Sequence, residues 1–472
     1  MAYKTTCTEA YALGRNCRRF LECLVGLRGG WALLRSSRCV VAHALVLTCS
    51  GAFFTQSALG AGFAVTAQGA AASGKGGAFT AQADDPSAIY YNPAGISQLR
   101  TSEVLVGTTV IVPDTEYSPL QTGQGAEEEP QAFFLPQLYV TAPIGHDLTA
   151  GLGLYTPFGV ATDWPTDWDG RFQITYVGVQ ATMLTPTVSW QINPKAAVAG
   201  GVNVAYVKLT ERRQINLSRV GEDAGFGPVP GNPEGAVEVE GDAVGFGYNL
   251  GTTIAPNDRW QIGLTYRSEV RADLNDLEAD FTIPSGPFTP FFPDGEAETT
   301  ITLPPSVRAG VLFRPIPQWN IEGEAIWTGW STIDQLVIRF DEGLPPPGTD
   351  TTLLLWDDAM AYGVGTQYEW SNFAVRGGYT LDYSPIPDNT VSPILPDGTR
   401  HWFSAGAGYK ASRWSADLGY HLILFQRVKD NQYGSNFSSA GSPPAIPAID
   451  ARANGTYRTV VHSVVLSVRF SF

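Results

Sequence analysis

The chain has 472 residues, 44% of them hydrophobic, and a formal charge of −15. All five cysteines lie at or before Cys49, so beyond that point neither a disulfide framework nor a thiolate metal site is available. The acidic balance argues against nucleic acid as a partner.

The first sixty residues carry seven basic and two acidic side chains ahead of a mostly apolar run from Val40 to Phe54. That pattern is a secretory leader. Ala58 and Gly60 supply the small residues of a cleavage site, so a mature start is expected near Ala61. A lipid anchor at Cys49 is disfavoured by the bulk of Thr48. Residues 61–100 are rich in Gly and Ala with no clean period, and they are too long to be a frayed tail.

From residue 101 onward the chain alternates short breaks with long ones. Short polar or Pro-containing turns are expected at Pro143 to Asp147, Ile192 to Ala196, Ala255 to Arg259, Arg314 to Gln318, Tyr368 to Asn372 and Tyr409 to Arg413. Long connections fall near residues 114–131, 157–175, 213–236, 281–297, 341–350, 383–400 and 429–456. Six short and seven long connections make fourteen strands, with both termini on the short-turn side. Glu238, Glu240 and Asp242 alternate with Val237 and Val239, as one wet face of a strand does. The final segment puts Val460, Val464, Leu466, Val468, Phe470 and Phe472 on alternate positions, opposite Ser463, Ser467, Arg469 and Ser471. Beyond residue 60 no run reaches the roughly eighteen apolar residues of a membrane helix, so a closed barrel is the remaining way to span lipid. Short turns in the periplasm and long loops outside suit an outer-membrane barrel. Trp190, Trp260, Trp319, Trp370 and Trp414 suit its interface girdles, or plain packing.

The stretch Gly74-Lys75-Gly76-Gly77, then Ala83-Asp84-Asp85-Pro86 and Asn92-Pro93-Ala94-Gly95, resembles the N-terminal hatch of the FadL/TodX family of outer-membrane transporters. Leu154 to Thr162 with Trp168 to Phe172, Leu264 to Val270, Trp327 to Ser331, and Gly377 through Gly408 are similar to further segments of that family, in its order. The resemblance implies an all-β fold: a 14-stranded antiparallel transmembrane β-barrel, residues 101–472, plugged by a hatch at residues 61–100 behind a leader at 1–60. It implies passive uptake of long-chain fatty acids or aromatic and alkane hydrocarbons, by capture in an apolar pocket, hatch gating and lateral release beside an inward-kinked third strand. The implied partners are a hydrophobic small molecule, outer-membrane lipid and lipopolysaccharide, and the barrel assembly machinery. The alternative is a non-selective porin or adhesion barrel.

Within that frame Phe63 is expected to reach the pocket from the hatch. Asn92, Pro93 and Ala94 form an anchoring turn, with Asp84 and Asp85 bonded to backbone or to lumen arginines, or else simply solvated. Gly151, Gly153, Pro157 and Phe158 mark the bend and lateral opening, unless the strand merely ends at Pro157. Arg212 and Arg213 are candidates to hold a fatty-acid carboxylate, with their inward member left open, or they are a solvated pair. No Lys or Arg falls between Arg339 and Arg376, a span that offers no second cation and so suits a neutral hydrocarbon. There is no nucleophile elbow, zinc-protease motif or phosphate loop, and Asp163, Asp167 and Asp169 match no calcium-loop spacing, so neither enzyme nor cofactor is expected. A hydrolase would need one of His146, His401, His421 or His462 beside a nucleophilic Ser.

Overall fold

The computed structural model describes residues 62–119, 123–223, 231, 233–340, 348–388, 390–425 and 453–472. The expected leader and its cleavage site lie outside these residues. Fourteen antiparallel strands form the wall. They are β1 (Glu103–Pro119), β2 (Phe133–Pro143), β3 (Leu148–Asp163), β4 (Tyr176–Asn193), β5 (Ala196–Asn216) and β6 (Glu234–Asn257). Four interrupted strands follow: β7 (Trp260–Arg267 and Val270–Thr282), β8 (Gly295–Leu303 and Ser306–Ile316), β9 (Trp319–Thr328 and Gln335–Phe340) and β10 (Thr349–Leu353 and Ala359–Trp370). β11 (Phe373–Asp382), β12 (Arg400–Lys410), β13 (Trp414–Phe425) and β14 (Gly455–Ser471) complete it. The barrel closes where β1 pairs with β14, from Glu103 opposite Ser471 to Pro119 opposite Gly455.

The alternation read from the sequence sets the two faces. Val198, Val202 and Tyr206 of β5 and Val244, Phe246, Tyr248 and Leu250 of β6 are exposed on the outside, where lipid replaces water. Farther along the same outer face the apolar run gives way to charge. Lys208 meets Glu240 at 2.5 Å and Arg212 meets Glu238 at 2.9 Å, so the acidic ladder of β6 sits above the greasy band. Trp190, Trp260, Trp319, Trp370 and Trp414 are all exposed beside the short turns and form one belt at that edge.

The N-terminal segment fills the lumen. It holds two single-turn helices, α1 (Ala70–Ser73) and α2 (Ala88–Tyr91), and a 3-10 turn at Pro93–Gln98. Strand backbone approaches it so closely that side chains would collide: a Cβ at Gly263 would strike the carbonyl oxygen of Thr80, and one at Gly378 the backbone of Lys75. A third helix, α3 (Leu217–Asp223), lies in the loop between β5 and β6.

β3 departs from the wall. It pairs with β2 only from Thr149 to Leu154, and its ladder to β4 breaks between Tyr155 and Phe158. Every residue from Tyr155 to Thr162 is buried, so the lipid-facing alternation is lost there. The bent strand takes a new partner. Val65 donates to the Pro157 carbonyl at 2.7 Å and Gly159 to the Phe63 carbonyl at 2.8 Å. The half of β2 from Phe133 to Gln137 stays in the ladder with β1, while the ladder to β3 covers only Leu138 to Pro143.

Candidate functional site

Two cavities lie one above the other inside the barrel. The upper one, about 120 Å³, is lined by Phe63, Val160, Leu209, Ile301, Trp356 and Leu395 among others, and no ionisable residue lines it. The lower one, about 60 Å³, is lined by Tyr90, Phe158, Arg267, Arg308, Thr380 and Asp382 among others. Four rings separate them. Phe63 touches Trp330 at 5.1 Å, Phe158 at 5.8 Å and Trp356 at 6.0 Å between centroids, and Trp330 touches Phe158 and Trp356. Edge-to-face contacts of this kind add about 0.5–1.5 kcal/mol each beyond burial. Phe63 lines the upper cavity, and the backbone just before it is pinned by a buried pair. Asp397 accepts the Gly62 N–H at 3.1 Å and Arg400 at 2.5 Å, while Arg400 donates to the Gly62 carbonyl at 2.9 Å.

Two glutamates of β9 hold the middle of the N-terminal segment. Glu322 accepts the N–H of Ala81 at 2.6 Å and of Gln82 at 3.2 Å, and lies 3.3 Å from the ammonium of Lys75, with both charges fully buried. Glu324 accepts the N–H of Phe79 and Thr80 at 3.1 and 3.0 Å and faces Arg308 at 3.4 Å. Asn92 bonds the carbonyls of Thr80 and Thr252 at 2.9 and 3.0 Å, and caps the turn through the Ala94 N–H. Ser189 of β4 donates to the Ala94 carbonyl, while Pro93 starts the 3-10 turn.

Of the alternatives open for the two aspartates, Asp85 bonds to backbone and Asp84 is exposed, and among the described residues no arginine donates to either carboxylate. The exposed Asp84 carboxylate takes the amide of Gln82, and Arg469 reaches only the Asp84 carbonyl. Asp85 is buried and accepts the N–H and hydroxyl of Ser87 at 2.7 and 2.5 Å. Burial pushes its carboxyl up to about 6, against the lowering effect of Ser87 and of the Arg469 charge. An acid raised on docking holds its proton more tightly in the docked segment. Docking is therefore strongest below the ordinary 3.8 and weakens as pH rises through about 6, by about 3 kcal/mol in all. Hydrogen exchange at residues 87–92, corrected for intrinsic rates, is expected to quicken roughly 50-fold from pH 4 to pH 7. Asp85→Asn should flatten that rise; an equal rise in the variant would remove Asp85 as its source.

At the bend, Gly151 and Gly153 do not play the part expected of them. Both sit in unbroken ladders to β2 and β4, below the break, and their missing side chains admit Ile89 of α2: a Cβ at Gly151 would come within 2.8 Å of it. Pro157 and Phe158 are at the break itself. Arg212 and Arg213 are also placed differently from a carboxylate clamp. Arg212 points outward, paired with Glu238 and stacked over Tyr176, while Arg213 is on the inward parity and paired with Asp350. Neither lines the upper cavity, and an incoming carboxylate would have to displace an existing one.

The cations that do line a cavity, Arg267 and Arg308, were not singled out from the sequence. Their signal was present: each is a charge on the polar parity of an alternating strand, opposite Leu264 and Tyr266 or Val307 and Ala309. Of the histidines, His421 lies 2.8 Å from the Ser404 hydroxyl through Nδ1, and among the described residues its Nε2 has no hydrogen-bond partner.

A family model described as outer membrane protein transport protein (OMPP1/FadL/TodX) matches residues 51–472. The chain belongs to that family. A putative outer membrane protein of Neisseria meningitidis is similar to this family member at 25% identity, over 90% of this chain and 97% of its own. A long-chain fatty acid transport protein of Escherichia coli is 28% identical over 78% of this chain and 86% of its own. Among solved structures, a Pseudomonas aeruginosa FadL homologue superposes with a TM-score of 0.75 at 19% identity, covering 87% of this chain and all of its own. The toluene transporter TodX of Pseudomonas putida gives 0.63 at 17%, covering 86% and 98%. This FadL/TodX member is an outer-membrane β-barrel of a transport family.

Proposed function

We propose that this chain carries hydrophobic small molecules across the outer membrane by passive diffusion, without chemistry. The observation that carries this reading is the upper cavity, lined mostly by apolar side chains with uncharged Thr, Ser and Gln between them, set inside a barrel whose wall is interrupted beside it. An aqueous exit would cost a cargo roughly 0.8 kcal/mol for every methylene returned to water, whereas a sideways exit into lipid avoids that cost. In this reading residues 1–60 are a removable leader, 61–100 the hatch and 101–472 the barrel. Asn92, Pro93 and Ala94 anchor the hatch, Phe63 closes the cavity floor, and Pro157 and Phe158 border the lateral opening between β2 and β3. The relatives named for long-chain fatty acids and for toluene mark the range of cargo to be tested. A non-selective porin is disfavoured, because residues 62–99 occupy the lumen that ions would use.

Trp330 and Trp356 border the two cavities and report on cargo directly. Titration of the detergent-purified protein with a long-chain fatty acid and with toluene is expected to change tryptophan fluorescence saturably for at least one of them, and Trp356→Phe should remove most of that change. No saturable response to either ligand, together with free ion conduction in a planar bilayer, would restore the porin.

A further inference from the structure

The wall is open a second time, between β8 and β9. Ser306 pairs with Thr328 below and Glu298 with Arg339 above, but residues 299–305 of β8 and 329–338 of β9 share no ladder pair. Pro304 and Pro305 bring no N–H to a ladder, and the two stretches differ in length, so they cannot run in register. Among the described residues two bonds cross the gap, one near each end: the Thr299 hydroxyl to the Val337 carbonyl at 2.8 Å and the Gly329 N–H to the Pro305 carbonyl at 2.9 Å. The upper cavity reaches into this gap. Successive strand residues face opposite ways, yet Thr300, Ile301 and Thr302 of β8 all line that cavity, and so do Gln335 and Leu336 of β9. A cavity touches both faces of two neighbouring strands only where it wraps round their unpaired edges. Thr300 is at the same time bonded on the outer face to Arg271 and Asp273, at 3.4 and 2.8 Å.

The gap lies at the upper edge of the greasy band. Thr302 is opposite Arg271, and Arg271 is opposite Phe246, near the upper end of the exposed apolar run of β6. Strand edges do not stand bare in hydrocarbon, but they are tolerated where they line a cavity. The flanking charges are paired among themselves, Arg271 with Asp273 at 2.8 Å and Arg339 with Glu298 at 3.2 Å, and the polar groups that line the gap are uncharged. We propose that the gap between β8 and β9 is an entrance for neutral cargo already dissolved in the membrane: an uncharged hydrocarbon held in the outer leaflet slides between the two strands into the upper cavity. This rests on the transport reading and adds to it a doorway, across the barrel from the break beside β3, and a source, the lipid itself. Loading from lipid never returns the cargo to water, so the cost of exposing its apolar surface does not arise.

The test uses the full mature protein in lipid nanodiscs with an alkane that carries a photoactivated diazirine, and maps the adducts by mass spectrometry. Adducts at Thr302 and Leu336 are expected to disappear under excess unlabelled hexadecane, whereas adducts at Phe246, which faces lipid at 68% exposure, should persist. A second arm fixes the route. The chain beyond residue 60 has no cysteine, so Thr302→Cys supplies a single thiol that a bulky maleimide caps after folding, and the uncapped half of each preparation is its own control. Mixed with vesicles that hold the diazirine alkane and illuminated early, the capped protein is expected to lose most of its adducts at Val160 and Trp356 in the upper cavity. Equal cavity adducts with and without the cap, or adducts at Thr302 and Leu336 that compete no better than those at Phe246, would overturn the entrance while leaving the transport reading standing. No competed adduct at any position sinks both.

Discussion

Glu322→Ala is expected to turn a plugged barrel into a conducting one. The substitution strands the fully buried ammonium of Lys75 and removes the acceptor for two backbone N–H groups of the N-terminal segment. Breaking a buried ion pair from one side costs about 3–5 kcal/mol, which raises the undocked population on the order of 10²–10³-fold. Single-channel recording in planar bilayers reads this as frequent openings where the parent is nearly silent. Lys75→Met combined with Glu322→Ala should recover part of the silence, since no charge is then left unpaired. If the single variant conducts no more than the parent, the β9 carboxylates do not hold the plug.

Gly378→Val should displace the same segment by shape. A Cβ at Gly378 collides with the backbone of Lys75, which has nowhere to retreat, while the neighbouring Gly377 has only the Ser404 carbonyl near it, at 3.9 Å. Both glycines lie on β11, and valine suits a strand, so the barrel itself should tolerate either change. Trypsin then distinguishes them. Lys75 is fully buried in the parent and in Gly377→Val, but Gly378→Val should be cut after it within minutes, with loss of the fragment detected by mass spectrometry. Equal resistance in the two variants would mean that the close packing is dispensable.

Much of this architecture was legible before any coordinates, because period-two patterning and turn length are local properties. The six short turns and the outward face of β14 fall where turn length and alternation placed them. The bend in β3 was legible in position but not in cause. Gly151 and Gly153 looked like weak points in a strand, yet their role is to admit Ile89, which is 62 and 64 residues earlier in the chain and approaches only in three dimensions. Arg212 and Arg213 are adjacent cations at a strand end, where adjacency cannot show that Glu238 of the neighbouring strand and Asp350 of β10 already pair with them. Arg267, Arg308, Glu322 and Glu324 followed the same alternation rule used for the acidic ladder of β6. They went unread because their meaning depends on what occupies the lumen.

The seam between β1 and β14 also bears on how the molecule is assembled. The Ala67 carbonyl accepts a bond from Thr109 of β1, and the Ala70 N–H bonds Ser467 of β14, so α1 and the residues before it straddle the junction from inside. These partners are separated along the chain by 42 and 397 residues, which makes the second contact among the last that synthesis permits. The first and final strands therefore meet over a template that the chain itself has laid down. Closure of the cylinder and seating of its contents become a single event, and a chain that closed empty would have to admit some forty residues through an open end.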